Sequence, residues 1–323
     1  MKYKLFLLLA VMLIIIEESV ELSYPLRTVV PTDFFSEDQQ DQYLWIVFLV
    51  IGIGLPLFTL LLSRTVDEWT DRQIVIMIAV GVVDRFFINP YSLLLYLGIA
   101  VVLAQFIKRS DYSYLVGIGL LIAGLVIVGL PLLLITFFSE TFMDVAQFQH
   151  FIALYQSNDY ISYIKENLMT SSVKNIAIMI LMILPLLLIG EKVAYLVSYY
   201  RWSAVLIASA VLAVGTIIKT LVRLTESTQA FDIIILIGGT SQALAVFIMA
   251  ALFVKTYRLN SSLVIAGLLL ADIMMLLCFT GIGIGQYQSI ALSDVLIRSG
   301  IISMITVICL LLFSYFRKSS INT

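Results

Sequence analysis

Long apolar runs alternate with short polar segments along almost the whole chain. An α-helix needs about 20 apolar residues to cross the roughly 30 Å hydrocarbon layer of a bilayer. Most of these runs approach that length, so we predict an all-α membrane bundle of about ten spanning helices. The predicted spans are Leu5–Ile16, Leu44–Leu62, Ile74–Ile88, Leu93–Ile107, Tyr114–Phe138, Ile176–Gly190, Trp202–Leu221, Phe231–Val254, Ser262–Gly281 and Ile297–Phe316.

The composition agrees with this pattern. The 323 residues are 61% hydrophobic and 12% charged, and the mean hydropathy is +1.07, which excludes an ordinary soluble domain. We predict one integral membrane domain over 1–323. The net charge of -2 gives no indication of nucleic-acid binding. Two cysteines and one histidine indicate neither a disulfide framework nor a metal centre, and no cofactor is predicted.

The distribution of basic residues predicts the orientation. Cytoplasmic segments of membrane proteins are enriched in Lys and Arg. With the N-terminus inside, each of six cytoplasmic segments carries two basic residues, and most carboxylates fall outside. The first apolar run is short enough for a signal peptide, but no Ala-x-Ala-like cleavage site follows it, so we favour a retained helix. We predict both termini in the cytoplasm and a location in a bacterial cytoplasmic membrane.

Two external segments have a distinct character. Residues 17–42 form a predicted acidic loop. Residues 139–172 carry apolar side chains at helical spacing, such as Phe142, Val145 and Ile152, with a break at 157–159. This pattern predicts two short amphipathic helices, which either lie on the outer membrane surface or cap a cavity that opens outward.

Asp272 is the one carboxylate in the middle of a predicted span. A charged residue at mid-depth costs about 2.5 to 3.5 kcal/mol, so such residues face a partner or a wet cavity. Gln242 lies at nearly the same predicted depth in the preceding span, next to Thr240 and Ser241, and an Asp272–Gln242 hydrogen bond is expected. These four residues form the candidate intramembrane polar site. Its role is either structural or linked to a proton or cation.

Asp84 and Arg85 form a second candidate site, near the outer end of the third span. The simpler interpretation is a pair of solvated charges at the interface. Lys219, near the outer end of its span, is expected to snorkel towards water.

Glycine and proline also stand inside the predicted spans. Gly52, Gly54 and Pro56 interrupt the second span, and such residues permit close helix packing or break a helix at a substrate site. We favour packing.

Three stretches resemble the YeiB-like family of bacterial multi-pass membrane proteins. They are DRQIVIMIAVGVVDRFFINPYSLLLYLGIAVVLAQFIKRS at Asp71–Ser110, YQSNDYISYIKENL at Tyr155–Leu168, and Ala271–Ser299 before a last helix with a basic tail. The resemblance implies a domain of unknown function that is often assigned to transport and is distantly similar to membrane acyltransferases. The histidine of the family's first motif corresponds to Asp84 here, so the family's polar residues do not carry over.

The functional expectation is transport or translocation of a small molecule or a lipid-linked group, with the lipid bilayer as the surrounding partner. One alternative is a relative of membrane acyltransferases, for which only His150, Asp84 and Asp144 are available as a base. The other is a non-transporting protein that senses, binds a partner or confers resistance to membrane-active peptides. No catalytic, cofactor-binding or metal-binding residue is predicted.

Overall fold

All regular elements in the described part of the chain are helices. The computed structural model describes residues 2–23, 52–87, 93–124, 126, 161–162, 164–165, 173–220, 228–253, 261–279 and 292–321. The helices are α1 (Lys2–Ser23), α2 (Gly54–Leu62), α3 (Asp71–Phe87), α4 (Leu94–Lys108), α5 (Ser113–Gly124), α6 (Val173–Tyr199), α7 (Arg201–Thr220), α8 (Thr228–Phe253), α9 (Ser261–Phe279) and α10 (Leu292–Ile321), with a 3₁₀ turn at Val66–Glu68 after α2.

Each of these helices overlaps one predicted span, so the all-α class is confirmed. Three stretches are long and apolar enough to cross a membrane: Met179–Tyr199, Arg201–Thr220 and Asp294–Leu312. This is the architecture of a helical membrane protein. The count of ten spans and the cytoplasmic termini stay predictions.

The external segments are described only in part. Residues 17–23 belong to α1 rather than to the predicted acidic loop, and the remainder of that loop lies outside the described residues. Of the segment 139–172, only 161–162 and 164–165 are described, and they are helical.

Helix α7 shows how the membrane shapes the bundle. Its buried residues are Ala204, Ala208, Gly215 and Lys219, whereas the large side chain of Leu206 is 73% exposed. A soluble helix would place its large apolar side chains inside. In lipid, small residues face neighbouring helices because they let backbones approach closely, and large apolar residues face the acyl chains. The inverted pattern on α7 indicates a lipid-facing flank.

Helix α2 lies in the centre of the bundle. It packs against α1, α6 and α8, and eight of its nine residues are buried. The contact with α1 is a backbone contact, because a Cβ added to Gly54 would stand 2.7 Å from the Ile14 nitrogen. Around this centre, α1 also packs against α9 and α10, and α6 packs against α4 and α5.

Exposed aromatic rings mark one end of the bundle. Trp202 is 86% exposed and Tyr112 is 68% exposed, and Tyr195, Tyr199 and Tyr200 are also exposed. They stand at the start of α5 and around the junction of α6 with α7. Because α5 packs on α6 with Gly117 against Leu188 and Ile189, both places lie at the same end. Tyr and Trp are enriched at membrane–water interfaces, so this end, called the aromatic end below, lies at an interface.

Candidate functional site

In the second predicted span, Leu44–Leu62, the chain is not helical at Gly52 and Ile53, a feature called the interruption below, and residues 44–51 lie outside the described residues. Span Leu44–Leu62 was expected, but α2 begins only at Gly54. Gly52 has a φ of +80°, a left-handed conformation that glycine adopts without steric cost. Ile53 at the N-cap supplies no side-chain hydrogen bond to the first turn. The chain is therefore left-handed at Gly52 and becomes helical only at Gly54, within the predicted span.

The interruption is held against α8 by direct backbone contact. A Cβ on Gly52 would stand 2.9 Å from the Ile235 carbonyl oxygen, and a Cβ on Gly239 would overlap the Gly52 carbonyl. Neither position has room for a side chain. The glycines of the second span thus serve both close packing and the interruption of the helix.

Lys219 lies at the same level, between α7 and α8. A Cβ on Gly238 would come 2.6 Å from the Lys219 Cγ atom, so the lysine stem occupies the space that this glycine leaves. The expectation that Lys219 snorkels is wrong, because its side chain is fully buried. The Glu17 carboxylate of α1 is close enough to act on the Lys219 ammonium electrostatically. A fully buried ammonium and a half-buried carboxylate therefore lie beside the interruption.

Gln242 continues this polar region one turn along α8. It is 4% exposed, and its Nε2 donates a hydrogen bond to Thr216 Oγ1 of α7 at 3.2 Å. Within the described ranges, the buried Gln242 Oε1 atom has no hydrogen-bond partner. Thr240 is partly buried, and the Ser241 hydroxyl donates to the Ile237 carbonyl at 2.8 Å. The Gln242 Oε1 atom of the predicted site is thus a buried acceptor to which no described group donates.

Asp272 is buried on α9, with 4% exposure. Helix α9 packs against α1, α3 and α10, whereas α8 packs mainly against α7, α2 and α6. The helices that carry Asp272 and Gln242 therefore have different main neighbours, and α1 contacts both. The Asp272–Gln242 hydrogen bond stays a prediction.

Asp84 and Arg85 are inside the bundle, and the interpretation of solvated interfacial charges is wrong. Asp84 is fully buried and Arg85 is 6% exposed. The Arg85 guanidinium carbon lies 4.6 Å from the centroid of the Tyr96 ring, a cation–π contact. They are buried because α3 and α4 approach closely at Gly81, where a Cβ would meet the Leu95 backbone. Helix α3 also packs on α9, the helix of Asp272.

Sequence reasoning missed Glu17 and Lys219 as members of a site. Glu17 follows the last residue of an apolar run, and it was therefore assigned to a loop. Lys219 lies against Gly238, and this contact becomes visible only when α7 packs on α8. Gly215 and Gly238, which let these two helices approach, were the available signal.

A second polar region lies at the aromatic end. Lys108 Nζ donates to Glu191 Oε2 at 2.7 Å, to Asp67 Oδ2 at 3.1 Å and to the Ser63 carbonyl at 2.8 Å. Nearby, Gln105 Nε2 donates to the carbonyls of Val66 at 2.7 Å and Trp69 at 2.9 Å. The bonds of Lys108 tie α4 to α6 and to the turn after α2.

This end also holds a cavity of about 500 Å³, called the end cavity below. Its lining residues are Asp67, Trp69, Asp71, Gln105, Lys108, Arg109, Ser113 and Glu191. In the part of the chain that the structure describes, no three His, Cys, Asp or Glu side chains are arranged to hold a metal ion.

No family model, no curated protein and no solved structure matches the chain. The resemblance to YeiB-like proteins therefore stays an expectation.

Proposed function

We propose that this protein is a multi-pass membrane transporter that moves a small molecule or a lipid-linked group across a bacterial cytoplasmic membrane. The proposal includes ten spans and cytoplasmic termini. The observation that carries it is the interruption at Gly52, beside the buried Lys219 and the half-buried Glu17. Helices interrupted near mid-membrane, with polar groups beside the break, are the usual substrate sites of secondary transporters.

The depth of the interruption supports this assignment. Helix α2 ends at Leu62, and the carbonyl of the next residue, Ser63, accepts a hydrogen bond from Lys108 at the aromatic end. Nine helical residues rise about 14 Å, roughly half of the 30 Å hydrocarbon layer. Gly54 therefore stands near mid-depth when the aromatic end lies at the interface.

The cost of the buried polar groups supports it further. Polar side chains within a membrane cost free energy unless they are paired or reached by water, and they commonly mark a substrate or ion pathway. Besides Gln242, the buried hydroxyls of Ser303 and Thr306 on α10 have no hydrogen-bond partner among the described residues. An aqueous path or a bound substrate would supply the missing partners.

Acyl transfer is less well supported. Of its candidate bases, His150 and Asp144 lie outside the described residues, and Asp84 is fully buried. A carboxylate without surface exposure is not placed to take a proton from an acyl acceptor at a membrane face. We therefore favour transport.

The test is water access at mid-depth. In a background with Cys278→Ala and Cys309→Ala, Gln242→Cys and Asp272→Cys are each treated with a membrane-impermeant maleimide in intact cells and in inverted vesicles. We expect labelling at both positions from at least one face. Leu57→Cys, at a fully buried apolar position of α2, is the matched negative control, and Asp111→Cys, at an exposed position, is the positive control.

Absence of labelling at 242 and 272 from both faces, with Asp111→Cys labelled, would contradict the transport proposal. The Asp111→Cys control also tests the topology, since labelling only in inverted vesicles is expected for a cytoplasmic position.

A further inference from the structure

Helices α6 and α7 form a sharp corner at the aromatic end. Only Tyr200 separates the end of α6 at Tyr199 from the start of α7 at Arg201. Helix α6 runs towards the aromatic end, and α7 returns from it, because Lys219 near the end of α7 lies at the level of the interruption. The two helices nevertheless touch each other only slightly, since α6 packs mainly against α2, α4 and α5, and α7 packs mainly against α8. They therefore diverge from residues 192–203, called the corner below.

The corner extends beyond the rest of the aromatic end. Helix α6 continues from Glu191 to Tyr199, and the Lys108 hydrogen bond places Glu191 at the level where α4 ends. This stretch of helix rises about 12 Å. The headgroup layer on each side of the hydrocarbon is about 5 to 8 Å thick. The corner therefore crosses the headgroup layer, with Lys192 nearer the hydrocarbon and Arg201 nearer the water.

The corner holds four aromatic rings outside the core of the bundle. Tyr195, Tyr199, Tyr200 and Trp202 are all exposed. The Tyr199 and Tyr200 rings contact each other edge to face, with centroids 4.7 Å apart, and Lys192 Nζ lies 5.4 Å from the centroid of the Tyr195 ring. Such rings favour the headgroup layer, because it accommodates both the apolar ring and its polar tip. The rings therefore indicate that lipid surrounds the corner.

The corner also carries positive charge without a compensating carboxylate. Lys192 and Arg201 are exposed, and neither forms an ion pair with a residue in the described ranges. The adjacent Glu191 is bonded to Lys108 on the wall of the end cavity. In the sequence, no Asp or Glu follows it before Glu226. Two cations on the corner are therefore available to an external anion.

An anionic phospholipid has the chemistry that complements the corner. Its phosphate would meet the two cations, and its glycerol backbone would lie beside the rings. Its acyl chains would continue along the lipid-facing flank of α7, where Leu206 and Ile207 are both exposed. A zwitterionic headgroup fits less well, because its ammonium group would meet no carboxylate of the corner. Each cation near a membrane surface favours anionic lipid by about fivefold in affinity.

We propose that the corner binds an anionic phospholipid in preference to a zwitterionic one, and that Lys192 and Arg201 hold its phosphate. Along α7, Arg201 lies about 27 Å from Lys219 beside the interruption. The proposal therefore concerns a surface separate from the candidate transport site and does not depend on transport.

Fluorescence of Trp202 tests the proposal, because this residue stands on the corner itself. With Trp45→Phe and Trp69→Phe, Trp202 is the remaining tryptophan of the full chain. The protein is reconstituted in mixtures of phosphatidylglycerol and phosphatidylcholine, in which one lipid or the other carries bromine on its acyl chains. Bromine quenches tryptophan at short range, so the two quenching curves give the relative affinity of the two lipids for the corner.

We expect phosphatidylglycerol to be preferred by roughly 25-fold at low salt and by less at high salt. Lys192→Gln and Arg201→Gln should each lower the preference about fivefold. Lys192→Arg retains the charge and should retain the preference. Arg72 is an exposed cation at the same end but outside the corner, so Arg72→Gln is the matched control and should change little.

Equal quenching by the two lipids would overturn the proposal, and so would a wild-type preference in both charge-removing variants. An equal loss of preference in Arg72→Gln would also overturn it, because the preference would then belong to the charge of the whole end rather than to the corner.

Discussion

Two lysines show how differently this chain treats charge at its core and at its end. Lys219 is fully buried between α7 and α8, with Glu17 as its electrostatic neighbour. The Lys108 side chain is 8% exposed, but its carboxylate partners Asp67 and Glu191 are 54% and 56% exposed. Lys219 is thus surrounded by helices, whereas Lys108 is covered by side chains that are themselves exposed to solvent.

The difference indicates separate roles. At the aromatic end, water screens the charges, so the Lys108 cluster joins α4, α6 and the turn after α2 at little electrostatic cost. In the core, Lys219 is desolvated and Glu17 is partly desolvated, and replacement of a buried ion pair by apolar residues is often neutral or stabilising. The joining of these elements is therefore a sufficient explanation for Lys108. We therefore attribute Lys219 and Glu17 to the proposed transport function rather than to stability.

The largest expected effect comes from breaking the core pair. Lys219→Met leaves the Glu17 carboxylate without its neighbouring cation, and we expect a loss of about 3 kcal/mol in stability. Adding Glu17→Gln should restore most of it, because no charge is then left uncompensated. Thermal unfolding in nanodiscs measures both variants. If the double variant is no more stable than Lys219→Met alone, the two charges are not coupled.

The next effect concerns the backbone contact beside that pair. Gly239→Ala places a methyl group against the Gly52 carbonyl, and overpacking of this kind costs about 1 to 3 kcal/mol. Gly300→Ala is the matched control, because nothing lies within 4 Å of its added Cβ, and it should be neutral or slightly stabilising. Equal melting temperatures for the two variants would argue against the contact.

A smaller effect is expected at the aromatic end. Lys108→Met removes an ion pair with half-exposed carboxylates, which costs about 1 kcal/mol and less at high salt. Melting temperatures at low and high NaCl concentration measure this. Lys192→Met, at an exposed position near the same end, is the control and should change little. A salt-independent loss of several kcal/mol would mean that this lysine behaves like Lys219.

The smallest effect is expected on the lipid-facing flank. Leu206→Ala on α7 changes a side chain that is 73% exposed, so stability should change by less than about 0.5 kcal/mol. Leu187→Ala, at a fully buried position of α6, should cost about 2 to 5 kcal/mol. A large loss from Leu206→Ala would show that this flank is covered by protein rather than lipid.

The positions of the helices could be predicted from the sequence because apolar runs bounded by charges report the bilayer directly. The ends of the helices and the interruption at Gly52 could not be predicted from the sequence. Helix α1 continues through Glu17 to Ser23, and the charged neighbour of Glu17 is Lys219, from a helix some 200 residues later, which no local pattern contains. The start of α2 at Gly54 depends on the contact of Gly52 with α8.

The sequence could identify individual residues of the candidate site, but not which of them lie together. Asp272 and Gln242 stand out because they are polar residues in apolar runs, and both are buried. Their neighbours are set by which helices pack together. Arg85 and Lys219 look like residues at helix ends, where long side chains reach water, and only packing at Gly81 and Gly238 places them inside.

The central position of α2 has a consequence for biosynthesis. Nearly all of this short helix is covered by α1, α6 and α8, yet it is made before two of them. Between Leu62 and the first residue of α6 the ribosome adds some 110 residues, which takes roughly 5 to 20 s. Of the three helices that cover α2, only α1 has been made during that interval. The packing of Gly54 on Ile14 can therefore form before the contacts of α2 with α6 and α8.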